Sequence, residues 1–189
     1  ATFDIIEPYI SDVFQPKNVP PMPIIGVHTK EHSDTINIIK AFYLKYPQYR
    51  WFTFRDMRGL PEVEFAKSLR DCFLSVWIDD DSAFGTFTLE AMASAVPVIG
   101  KIPNLPPNWM NEDNGIWVDN KISIVDVIAD FIQNWLEDAI SDKLYNAMEE
   151  TAKIYKNESG FKNEVTKLFE TYLNQRADAF ESQINKTEN

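Results

Sequence analysis

At 189 residues, with 44% hydrophobic and 13% aromatic content, the chain can bury a full α/β core and is too apolar for disorder. Its formal net charge of -11 argues against nucleic acid or an acidic membrane surface as a general partner, because both demand a basic face. No run approaches the roughly 18 apolar residues of a membrane span, the first residues lack a secretory pattern, and the lone Cys72 cannot form an internal disulfide. A reducing, cytoplasmic setting is the expectation.

Residues 1–23 carry Pro8, Pro16, Pro20, Pro21 and Pro23, too many for a regular element, and read as a surface connector. Ile5, Ile6, Tyr9, Ile10, Val13 and Phe14 are its packing residues. Ile24 to His28 is the first strand, followed by a helix that Ser33 or Asp34 can cap and that places Ile36, Ile39, Phe42 and Tyr43 inward. Trp51 to Phe54 is a second strand. Arg55 to Gly59 then turns into a helix with Pro61 in its first turn and Phe65, Ala66 and Leu69 on its inner side.

The apolar run Phe73 to Ile78 reads as a strand buried on both faces, broken by the acidic turn Asp79-Asp80-Asp81. Phe84-Gly85-Thr86 opens a helix with Leu89, Met92, Ala93 and Val96 at helical spacing, and Val96 to Gly100 returns as a strand. Strands alternating with helices give a Rossmann-like α/β fold, a parallel sheet with right-handed crossovers. The loops after its strands gather at one edge, which brings His28, Lys30, Arg55, Arg58 and Lys101 near the start of the Thr86 helix. Unpaired N–H groups and the positive end of the helix dipole favour an anion there. Between His28 and Arg58 basic residues outnumber acidic ones, which suits an anion site and equally suits a solvated helix face.

Downstream, Lys101 to Trp109 is a stiff loop, Asn114-Gly115 turns into a short strand Ile116 to Val118, and Ile124, Ile128, Phe131, Ile132 and Trp135 mark a helix. A shorter helix around Leu144 to Tyr155 precedes a last one carrying Phe161, Val165, Leu168, Phe169, Tyr172 and Leu173. The expected organisation is a connector over 1–23, a Rossmann-like domain over 24–140, C-terminal helices over 141–180 and a polar, frayed tail over 181–189.

Phe84-Gly85-x-x-x-Leu89-Glu90-Ala91-Met92-Ala93-Ser94-Ala95-x-Pro97-Val98-Ile99 resembles the nucleotide-sugar motif of two-domain GT-B glycosyltransferases, particularly the large retaining family. The resemblance implies that Glu90 accepts hydrogen bonds from ribose hydroxyls, and that Gly85, Thr86 and Phe87 offer backbone N–H groups to a diphosphate. It implies a sugar-nucleotide substrate, a leaving diphosphate stabilised by basic side chains and a helix start in place of a metal, and no other cofactor. It also implies an N-terminal partner domain that precedes the connector and holds the acceptor. Ser82 stands where the family has its first glutamate, near the sugar, so it takes the catalytic position in this chain. Ala95 replaces the glycine taken to let that helix pack closely, and Ile102-Pro103-Asn104 replaces a glycine pair. These departures leave open a non-catalytic domain that binds nucleotide sugars or acts as an interaction module.

Overall fold

A computed structural model describes residues 6–82 and 84–187, the side chains of 178–187 excepted. Ile5 therefore lies outside the described residues. Five strands form one parallel sheet: β1 (Ile24–Thr29), β2 (Thr53–Asp56), β3 (Leu74–Ile78), β4 (Val98–Lys101) and β5 (Ile116–Val118). Helices α1 (His32–Lys45), α2 (Glu62–Arg70), α3 (Thr86–Ala93), α4 (Ile124–Leu136), α5 (Asp142–Ile154) and α6 (Glu158–Thr187) cover it or follow it. The Rossmann-like α/β expectation holds.

Residues pointing to alternate faces of the strands feed two separate cores, as the period of two requires. Ile25, Val27, Leu74, Val76, Ile78 and Ile99 pack under α1 and α4. Ile24, Trp77 and Val98 pack on the opposite face, against residues of α2, α3 and α5. Met148 and Ala152 of α5 belong to that second core, so α5 closes the layer beside α3. The prolines keep residues 6–22 irregular, yet this segment is also part of the core. Ile10 and Phe14 are buried, the Ile10 N–H donates to the Tyr155 carbonyl at 2.8 Å, and Phe14 meets Phe65 of α2 edge-on.

Several local expectations shift. The second strand starts at Thr53, after a 3₁₀ turn at Pro47–Tyr49 that draws the Phe52 N–H onto the Tyr49 carbonyl at 3.0 Å, and Trp51 is left exposed. Helix α1 begins at His32 with Glu31 as its N-cap and no side-chain cap, so Ser33 and Asp34 fall inside the first turn, where Asp34 pairs with Lys121 at 2.7 Å. Its buried stripe is Thr35, Ile38 and Phe42, and Ile36 is exposed. The backbone of α6 stays helical through Thr187, into the segment expected to fray. Phe161, Val165 and Leu168 are partly covered, while Phe169, Tyr172 and Leu173 are exposed.

The strand order is β2-β1-β3-β4-β5. Chain direction across the sheet reverses between β1 and β3, so α1 leaves toward one face and α3 toward the other. The carboxyl ends of β1 and β3 therefore flank a crevice, the place where open α/β sheets take ligands.

Candidate functional site

The crevice is built from the loop His28 to Glu31, the acidic turn Asp79 to Asp81 and the start of α3. Gly85 is the N-cap of α3 at φ 59, in the left-handed region that disfavours any side chain. A Cβ there would lie 3.0 Å from the Trp109 ring and 3.0 Å from Thr88 Oγ1, so the position needs glycine for conformation and for space. Trp109 also donates its indole N–H to the Phe84 carbonyl at 2.9 Å, which ties the loop after β4 to the start of α3. Nothing in the local sequence pairs Trp109 with Phe84.

Ser82 contacts the same turn. Its hydroxyl accepts the Gly85 N–H at 3.0 Å, so Ser82 acts here as a turn-closing group and Gly85 has no donor left for a phosphate. Among the described residues, the N–H groups of Thr86 and Phe87 have no acceptor. Thr86 is exposed, whereas the Phe87 side chain is buried, with its ring stacked on His28 at 4.7 Å and 12°. His28 Nδ1 is buried without a partner. Burial pushes the His28 pKa down, and Arg58 adds to that against the opposing carboxylates Asp79 and Asp56, so the imidazole is held neutral.

Glu90 lies one turn into α3. Its carboxylate is mostly buried and, among the described residues, makes neither hydrogen bond nor ion pair. Burial first, and the nearby Glu62 second, push its pKa up to about 7. An acceptor in that state is stabilised by any ligand that brings hydroxyl donors.

The basic residues at this edge are already committed. Lys30 pairs with Asp81 at 2.7 Å, and Arg58 Nε donates to Asp56 at 2.9 Å. Lys101 pairs with Asp80, and Lys121 bridges Asp34 at 2.7 Å and Asp80 at 3.3 Å. Of the cations between His28 and Arg58, Lys30 is neutralised by the acidic turn, Arg58 by Asp56 and Lys45 by Asp126. Arg55 does not reach the edge at all. From β2 its guanidinium runs back along α2 to the Ser68 carbonyl at 3.1 Å and lies 3.9 Å from Asp71, at the amino end of the sheet.

The structure thus gathers His28, Lys30, Arg58, Gly85, Thr86, Phe87, Glu90, Lys101 and Ser82 around one edge and removes Arg55 from it. It adds Lys121, whose position after β5 carries no sequence signal. Among the described residues, no group of three or more His, Cys, Asp or Glu side chains is placed to hold a metal ion. Nor is any described helix long and apolar enough to cross a membrane. A groove of about 340 Å³ opens between α1 and α4, floored by Ile38, Ile78 and Val125 with Asp34 and Lys121 at its mouth.

No family model matches the chain. An alpha-1,6-glucosyltransferase of Actinobacillus pleuropneumoniae serotype 7 (strain AP76) is 33% identical over 99 residues, which is 51% of this chain and 30% of that protein. The chain therefore matches less than a third of that relative's length. In three dimensions it resembles the C-terminal domain of LpcC, a group 1 glycosyl transferase of Francisella tularensis, at a TM-score of 0.57 and 16% identity over 75% of this chain and 95% of that one. TarM matches at a TM-score of 0.59 and 16% identity, over 88% of this chain and 37% of its own. The pneumococcal O-GlcNAc transferase GtfA, solved with UDP and GlcNAc, matches at 0.56 and 12% identity, over 88% and 37%. The fold is that of the C-terminal domain of GT-B glycosyltransferases.

Proposed function

We propose that the chain binds the nucleoside diphosphate of a sugar donor and forms the donor half of a glycosyltransferase site, whose acceptor half belongs to a further domain of a longer chain. The observation that carries the reading is Glu90: a mostly buried, unpaired carboxylate one turn into a helix whose start faces the switch-point crevice. A lone buried carboxylate costs stability, and hydroxyl donors from a ribose would offset that cost. The Thr86 and Phe87 N–H groups, at the positive end of α3, would take a phosphate oxygen. The similarity to a glucosyltransferase supports sugar transfer, and the fold supports a two-domain partner. In this reading the leaving diphosphate is stabilised by helix dipole and basic side chains without a metal, the setting is the cytoplasm, and this chain alone transfers no hexosyl group.

Calorimetry with UDP, GDP and ADP tests it. Glu90→Ala should weaken nucleosides and nucleotides alike, and Arg58→Ala should weaken only phosphorylated ligands. Equal loss in both ligand classes for both variants, or no binding at millimolar concentration, would refute the roles assigned.

One observation favours a second reading, a non-catalytic nucleotide-sugar binder. By the motif resemblance Ser82 takes the place of the family's first glutamate, and its hydroxyl accepts the Gly85 N–H, so in this reading no carboxylate is supplied to the sugar from that position. A full-length chain active only after Ser82→Glu would favour this second reading.

A further inference from the structure

The acidic turn after β3 is the least expected feature of a face that binds phosphate. Asp80 is the point where it meets the cations. Lys101 ends β4 and Lys121 follows β5, and the two ammonium groups converge on the one Asp80 carboxylate, Lys101 on Oδ1 and Lys121 on Oδ2. The Lys101 side chain is only 18% exposed and Lys121 37%, so neither charge is fully hydrated and each needs an anion. The turn is anchored to the loop after β4 through the Asp80 carbonyl, which accepts the Asn104 N–H at 3.0 Å.

We propose that Asp80 is an internal stand-in for a phosphate, and that Lys101 and Lys121 form a subsite that takes a phosphoryl group of a nucleoside diphosphate in its place. This rests on the reading of the edge as a nucleotide site. Two carboxylate oxygens each facing one ammonium present the same acceptor pattern as two non-bridging phosphate oxygens. A diphosphate carries more negative charge than Asp80 and competes for the same donors. The displaced carboxylate has an exit, since the Asp80 side chain is itself 36% exposed. Asp34 holds Lys121 in place during the exchange, at 2.7 Å, and Lys30 faces the same turn through Asp81. Asp79 does not join the exchange: its Oδ1 accepts the Asp81 N–H at 3.1 Å. The edge is therefore self-neutralised when empty and charge-complementary only to a ligand that can expel a carboxylate. That discriminates a diphosphate from weaker anions.

The test is calorimetric titration of the 189-residue chain with inorganic pyrophosphate, UDP and uridine at low ionic strength. Asp80→Asn should bind pyrophosphate about tenfold tighter than the parent, within the usual range of coupling between sites. Adding Lys121→Met should abolish the gain. Asp113→Asn, which frees the exposed Lys143 from its carboxylate away from this groove, should leave pyrophosphate binding unchanged. In the parent chain, the Asp80 carboxyl carbon resonance should shift on titration with pyrophosphate, a readout independent of any substitution. The proposal is overturned if Asp80→Asn binds no tighter, if the gain survives Lys121→Met, or if the Asp80 resonance stays still at saturation. If UDP binds both forms equally well, the stand-in fails and the nucleotide reading survives. If pyrophosphate gains and UDP binds no better than pyrophosphate, the subsite survives and the nucleotide reading fails.

Discussion

Replacing Glu90 by glutamine should stabilise the protein at alkaline pH and do almost nothing at acid pH. The native carboxyl titrates at about 7 against 4.5 for an unperturbed glutamate, with burial as the main cause. Below the unfolded value both states hold the proton and Glu90 is neutral to stability. As pH rises from 4.5 the unfolded chain releases its proton first, the native chain keeps it, and stability falls until the native group ionises near 7. The full gap corresponds to roughly 3 kcal/mol, and residual contact with solvent reduces the usable part to about 2 kcal/mol. Glutamine removes the charge and keeps the shape. At pH 8 the variant should melt about 4 to 8 °C above the parent, given the entropy of unfolding expected at this size. Melting curves of both proteins at pH 5 and pH 8, with ligand absent, read the effect. A difference that is the same at the two pH values would refute the assignment of a mostly buried, unpaired carboxylate.

The same titration predicts ligand behaviour: an ionised Glu90 accepts ribose hydroxyls better, so uridine should bind about tenfold more weakly at pH 6 than at pH 8, and Glu90→Gln should flatten that dependence, both read by calorimetry. Ala95 sits at φ 57 just past α3, with the Val96 N–H on the Ala91 carbonyl at 2.9 Å in a left-handed helix stop. Ala95→Gly should therefore raise stability by about 1 kcal/mol in denaturant unfolding, with no change in ligand affinity. Arg55→Ala should lower stability through loss of its contacts to Ser68 and Asp71 while leaving UDP affinity unchanged, whereas reduced UDP affinity at intact stability would return Arg55 to the site.

The strand, turn and helix from Leu74 to Ala93 were legible because every determinant is local: an apolar run, an acidic break, a glycine and a helical stripe within one short segment. The crevice followed from topology, since parallel crossovers leave little choice about which loops meet. Side-chain partners were not legible. Lys101 with Asp80 and Lys121 with Asp34 are pairs between distant segments, and net charge along a window says nothing about which carboxylate folds onto which amine. Arg55 was misplaced because the position of its backbone near the edge does not fix the direction of a long, flexible side chain. At Ala95 the motif suggests a packing position, whereas the residue is exposed and its constraint is the sign of φ. The aromatic pair Trp51 and Phe52 has strand composition and suggests an earlier start to the second strand, while the proline turn before it delays the ladder to Thr53.

A nucleoside diphosphate at the start of α3, with its ribose on Glu90, should be detectable residue by residue. Backbone chemical-shift mapping with UDP, GDP and ADP addresses it directly. Saturable shifts are expected, for at least one of the three, at Thr86, Phe87 and Glu90 and at His28 across the crevice. Shifts confined to the groove between α1 and α4, or none with any nucleotide at millimolar concentration, would contradict it.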